Sequence, residues 1–123
     1  MNNKRVFVLG AASALLLSVA AVSAQDAAKI QPDKNKVLFE NEQVRVLEVK
    51  NEPGGTLDMH SHPDHLVYFL KGGKAKFTNA DGTVAEMEGK SGDVRWVEAV
   101  THKVHNTGPD PIHVIVVELK ESK

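Results

Sequence analysis

Apolar and polar positions alternate along most of the chain, in short runs broken by Gly, Pro, Asn and Asp. Over Gln43–Lys50, Val44, Val46 and Val49 interleave with Arg45 and Glu48. Comparable runs span Lys36–Glu40, Thr56–His62, His65–Lys71, Lys74–Asn79, Thr83–Glu88, Val94–Val97, His102–Asn106 and Ile112–Leu119. Successive side chains of an extended chain point to opposite faces, so each run is predicted as a strand. Pro53-Gly54-Gly55 and Gly108-Pro109-Asp110-Pro111 punctuate the series. Asp81-Gly82 predicts a tight hairpin, because Gly accepts positive φ without steric cost. Gly72-Gly73 reads as a second hairpin signal. Within Val94–Val97, Val94 and Trp96 share a face and are assigned to the core. No run of helical period follows the N-terminal segment, so an all-β sandwich or barrel is predicted.

The long apolar segment lies at the start. Lys4 and Arg5 precede an uncharged stretch from Val6 to Val22, and Val22-Ser23-Ala24 supplies small residues where a signal peptidase cuts. Residues 1–24 are therefore read as a signal peptide cleaved before Gln25. The stretch is interrupted by Gly10, Ser13 and Ser18 and is short for a span of about 20 residues. A periplasmic or secreted protein is expected, with no stable membrane insertion after signal removal. Lys4-Arg5-Val6-Phe7-Val8 also looks like a weakened twin-arginine signal, though ordinary unfolded export is the favoured reading. Residues 25–35 are polar, carry Pro32 and are expected to be a flexible lead-in. Residues 36–120 then form one β domain, as a chain of 123 residues allows.

Composition narrows the function classes. Fifteen basic residues against 16 acidic ones leave no global basic field for nucleic acid. The absence of Cys excludes disulfides, a thiol nucleophile and a Cys-based zinc site. Phosphate-loop, dinucleotide-binding and helix-turn-helix patterns are missing.

Six histidines carry the remaining information: His60, His62, His65, His102, His105 and His113. His60 and His62 project from one face of a strand, about 7 Å apart along the backbone. Two imidazoles so placed converge on one ion at about 2.0–2.1 Å per bond. His65 has the opposite parity on an unbroken strand, but Pro63 favours a break that resets the facing. His102 must come from a distant strand. His105 has opposite parity to His102 and is assigned to the surface, and His113 to a sheet face with satisfied hydrogen bonds. Spacing alone leaves a metal site and a solvated His-rich strand both open.

Gly54-x5-His60-x-His62, then His65 and Tyr68-Phe69-Leu70-Lys71-Gly72, resembles the first motif of the cupin superfamily. Gly92-Asp93-Val94-Arg95-Trp96-Val97-Glu98, followed by His102-x3-Asn106, resembles the second. Val37-Leu38-Phe39-Glu40-Asn41 and Val44-Arg45-Val46 are similar to small stand-alone cupins. The resemblance implies a double-stranded β-helix, or jelly-roll barrel. It departs where the acidic ligand of the first motif belongs. Counting from His62 reaches Leu66 or Val67, whereas counting back from Gly72 reaches His65. The second alignment implies a ligand set of His60, His62, His65 and His102 with no carboxylate. Glu98 and Val100 also stand where Pro and Gly are usual.

Such a set implies one divalent transition metal, Fe, Mn, Ni, Cu or Zn, rather than Ca or Mg. The function implied is a metal-dependent, dioxygenase-like enzyme on a small organic substrate. Two alternatives stay open. One is a non-catalytic module that binds a metal or small ligand. The other is a metal-free, epimerase- or isomerase-like cupin whose acid–base His needs a carboxylate partner that the spacing does not nominate. A homodimer fits the family habit of pairing.

Overall fold

The computed structural model describes residues 25–121, so the leader assigned to residues 1–24 lies outside the described residues. The strands are β1 (Asn35–Glu40), β2 (Val44–Asn51), β3 (Thr56–His62), β4 (His65–Lys71), β5 (Gly73–Asn79), β6 (Val84–Gly89), β7 (Val94–Val97), β8 (Val100–Asn106) and β9 (Ile112–Leu119). They form two antiparallel sheets, a five-stranded one in the order β1-β2-β9-β4-β7 and a four-stranded one in the order β3-β8-β5-β6. Leu47, Val49, Val114 and Val116 from the first sheet meet Leu57, Ala75 and Val104 from the second in one buried core. This is the expected double-stranded β-helix.

The hairpin at Asp81-Gly82 forms as predicted, joining β5 to β6. Gly82 sits at φ 92°, and the Thr83 amide donates to Asp81 Oδ1 at 2.9 Å. Gly72-Gly73 is a correction: β4 and β5 belong to different sheets, so the pair makes a crossover. Glycine is needed there for close approach, since a Cβ at Gly72 would stand 2.1 Å from the Gly89 carbonyl oxygen.

β7 brings a second correction. Arg95 and Val97 face the interior, while Val94 and Trp96 lie on the outer face, 61% and 50% exposed. The neighbouring β4 repeats the pattern, with His65, Val67 and Phe69 inside and Leu66, Tyr68 and Leu70 outside.

The stretch expected as a flexible lead-in packs along the barrel. Asp26 caps a single helical turn, α1 (Ala27–Ile30), accepting from the Ala28 amide at 2.9 Å, and Ala27 is buried. In the four-stranded sheet β3 is an edge, which exposes unpaired backbone groups unless something covers them. The Gln25 carbonyl accepts from the Ser61 amide at 2.8 Å, and Gln31 Oε1 accepts from the Asp58 amide at 2.7 Å.

Candidate metal centre

The site grows from a register shift. β3 pairs with β8 as Leu57↔Val104 and then His60↔His102, so three steps on β3 oppose two on β8. This bulge resets the alternation, and Leu57 and His60 both face inward despite their odd spacing. His62 follows on the same face, and His102 lies directly across from His60. The His60 ring centroid is 4.8 Å from that of His62 and 4.9 Å from that of His102. Phe77 of β5 packs against His102 at 5.4 Å.

One potential ligand nitrogen from each of His60, His62 and His102 falls in a set whose members all lie within 4.8 Å of one another. A tetrahedral pair at 2.1 Å per bond spans about 3.4 Å, so ring movements of under about 1 Å each would close the set. His65 is not in that set. It sits at the start of β4 on the other sheet, buried beside His62 with ring centroids 4.8 Å apart. The cluster therefore holds the four expected residues, but three of them converge and the fourth flanks.

Tautomers are fixed from behind. His60 Nδ1 lies 2.7 Å from the Asp58 carbonyl and His65 Nδ1 lies 2.7 Å from the Pro63 carbonyl. A carbonyl oxygen only accepts, so both Nδ1 atoms carry the proton and both Nε2 lone pairs stay free. Burial, then the neighbouring His62, pushes His60 down to about 4. Burial, then His60, pushes His102 down to about 3. His65 is also lowered, chiefly by burial. Neutral imidazoles with free nitrogens are the form that ligates a transition metal, so these residues fit a divalent ion.

His62 is held differently. Its Nδ1 donates to Glu118 Oε2 at 2.5 Å, and Glu118 Oε1 accepts from Arg45 Nε at 2.7 Å. Arg45 in turn grips Asp26 with both terminal nitrogens, at 2.7 and 3.0 Å. Burial opposes ionisation of Glu118, but the hydrogen bonds from His62 and Arg45 outweigh it and hold its carboxyl below the usual range. The carboxylate behind a ligating histidine is a common device, which orients the ring and raises its basicity. Spacing around the histidines did not reveal Glu118, which lies 56 residues from His62. A signal existed: Val114, Val116 and Glu118 share the buried face of β9, so a charged residue stands at an inward position.

Above the histidines lies a cavity of about 290 Å³ with mainly apolar walls, including Val67, Phe69, Phe77 and Val97. Of the described residues lining it, Arg95 alone is permanently charged. Its Nη2 donates to the Glu88 carbonyl at 2.6 Å and its guanidinium lies 5.5 Å from the Phe69 ring centre. His105 and His113 lie outside this cluster. His105 Nδ1 is 3.1 Å from the Thr56 hydroxyl and His113 Nε2 is 2.7 Å from Glu48, as a structural role predicts.

Residues 47–118 match the family described as the cupin domain. The chain belongs to that family. Among solved structures, this cupin is similar to a cupin domain of Bordetella pertussis Tohama I at 26% identity and TM-score 0.65, over 71% of this chain and 92% of the other. It shares its fold with an RmlC-like cupin family protein of Methanocaldococcus jannaschii at 19% identity and TM-score 0.56, over 70% and 78% of the two chains. Bacillus subtilis oxalate decarboxylase, which has Mn(II) centres, is 28% identical with TM-score 0.51, over 67% of this chain but 23% of the enzyme. No protein of curated function matches. No helix among the described residues is long and apolar enough to cross a membrane.

Proposed function

We propose that this cupin is a secreted, metal-dependent enzyme acting on a small organic anion, with His60, His62 and His102 as the ligands of one divalent transition ion. The observation that carries the reading is the convergence of three buried imidazoles at one end of a mainly apolar cavity of about 290 Å³. That volume is near the lower end of small-molecule sites, roughly 300–1,000 Å³. Three protein ligands leave coordination positions free, in contrast to a closed structural site. A bound ion would supply Lewis-acid or redox chemistry at that end of the cavity.

The chain's own residues do the rest. Apolar walls exclude water and strengthen every charge inside. Arg95, whose nearest carboxylate is Asp93 at 3.8 Å outside the cavity lining, attracts a carboxylate or an enolate-like oxygen. His65 presents a free Nε2 beside the ligand set, placed to accept a proton from the substrate rather than to bind the ion. His102→Ala is expected to abolish both metal and turnover. His65→Ala is expected to keep the metal and lose turnover. Turnover surviving in a metal-free His102→Ala protein contradicts the proposal.

A second reading has a specific observation behind it. The buried Glu118–His62 pair supplies the carboxylate partner that a metal-free, epimerase-like cupin requires. Undiminished turnover after exhaustive chelation would favour it, and no turnover of any small anion would favour a binding module. The proposal includes a homodimer joined through the outer face of the five-stranded sheet, where Leu66, Tyr68, Leu70, Val94 and Trp96 are exposed. Secretion rests on the leader, and is tested by sequencing the N-terminus of the exported protein, expected at Gln25.

A further inference from the structure

We propose that the N-terminal strap is part of the metal centre: Asp26, through Arg45 and Glu118, is a positioning residue for His62. This inference rests on the metal reading above.

Three sets of contacts place the strap there. First, Gln25 and Asp26 lie against Ser61, the residue between two of the ligands. The Gln25 carbonyl accepts from the Ser61 amide at 2.8 Å, the Ser61 hydroxyl donates to Gln25 Oε1 at 3.1 Å, and Asp26 forms a parallel bridge with Ser61. Second, the strap covers the free edge of β3, the strand that carries His60 and His62. Third, Asp26 fixes the fork of Arg45 by two hydrogen bonds, leaving Nε to aim at Glu118.

The chain of contacts is directional. An arginine fork is planar, so holding its two terminal nitrogens fixes the line along which Nε donates. That line ends on Glu118 Oε1, and the opposite oxygen receives the His62 proton. Glu118 is 4% exposed at its side chain and has few other ways to be oriented. Arg45, Glu118 and His65 also stand in one register row across β2, β9 and β4. Loosening Asp26 lets the fork turn, the carboxylate follow and the His62 ring lose its fixed tautomer.

The test uses the otherwise intact protein carrying Asp26→Asn or Asp26→Glu, with two readouts. Zn(II) affinity is measured by competition against a chelator, with folding checked by circular dichroism. Nitrogen-15 NMR of the metal-free protein reports which ring nitrogen of His62 carries the proton. Asp26→Asn is expected to weaken zinc by roughly 3–10-fold, short of the about 10–100-fold loss typical of a direct outer partner. The His62 signal should move from the Nδ1–H form toward a mixture. Asp26→Glu should restore both to within about twofold, because it keeps the carboxylate that grips Arg45.

Unchanged zinc affinity with an unchanged His62 signal in Asp26→Asn overturns the inference. So does an equal loss in both variants, which would mark general damage to the strap. A parent protein without zinc affinity whose His62 signal still follows Asp26 overturns the metal reading and leaves the positioning role standing.

Discussion

The two sheets differ in what they turn outward and in what they give the site. The four-stranded sheet is polar outside, with Lys74, Lys76, Glu86, Glu88 and Lys103 exposed, and it carries His60, His62 and His102 on its inner face. The five-stranded sheet turns a mainly apolar outer face to solvent at β4 and β7 and carries the charged support, Arg45 and Glu118, with His65 beside them. His62 is the joint, since its ring belongs to one sheet and its Nδ1 proton goes to the other. Ligands and their orientation are therefore separate contributions that meet only when the sheets pack. The N-terminal strap touches both halves, through Ser61 on one side and Arg45 on the other.

The largest contrast is expected between histidines of the two sheets. His102→Ala should cost more than about 100-fold in metal affinity, beyond the 10–100-fold range of outer-shell changes. His65→Ala should stay within about tenfold, and calorimetric titration of both variants checks the pair. An equal loss would put His65 in the ligand set.

Next comes the support. Glu118→Ala leaves the partly buried Arg45 charge with one of its two carboxylate partners gone, so urea unfolding of the metal-free protein should show a loss of about 1.5–3 kcal/mol. The same change on the outside of the other sheet, Glu86→Ala, should lie within about 0.5 kcal/mol.

Acid should distinguish the sheets more gently. An unfolded imidazole takes up a proton near 6.5, whereas His60 and His102 in the fold wait until about 4 and about 3. Between those values the unfolded chain binds more protons, so stability falls as pH falls. Each group contributes at most about 1.4 kcal/mol per pH unit. Urea midpoints of the metal-free protein from pH 7 to 4 should decline, and His102→Ala should flatten the slope. Metal binding should raise the midpoints without flattening the decline, because the unfolded chain still takes up the protons.

The smallest effect is expected at Trp96. On a half-exposed outer face, Trp96→Ser should cost about 1 kcal/mol or less, against about 3–5 kcal/mol for a core tryptophan. Light scattering should show the proposed pair of chains become single.

The same contrast explains what was legible in the sequence. Where the outer face is polar, alternation identifies the inner residues, and His60, His62 and His102 fall where spacing and motif resemblance put them. The bulge between Leu57 and His60 was invisible, but it left His60 and His62 in phase. Where apolar residues stand on both faces, as in β4 and β7, parity has no marker, and alternation points Val94 and Trp96 inward although Arg95 and Val97 occupy the interior. Glu118 was hidden for another reason: its partners are contributed by distant strands, and local spacing carries no trace of them. The strap looked flexible because it is polar, yet its polar groups are spoken for by Arg45, Ser61 and Asp58.

Whether the histidines hold an ion is read most directly from the metal content of the protein. The protein should be purified without an affinity tag or chelator and measured by mass spectrometry of its elements. About one equivalent of a divalent transition metal per chain is the expected result, lost in His102→Ala. No metal in the purified protein, and none retained after reconstitution with Mn, Fe, Ni, Cu or Zn, would contradict the account.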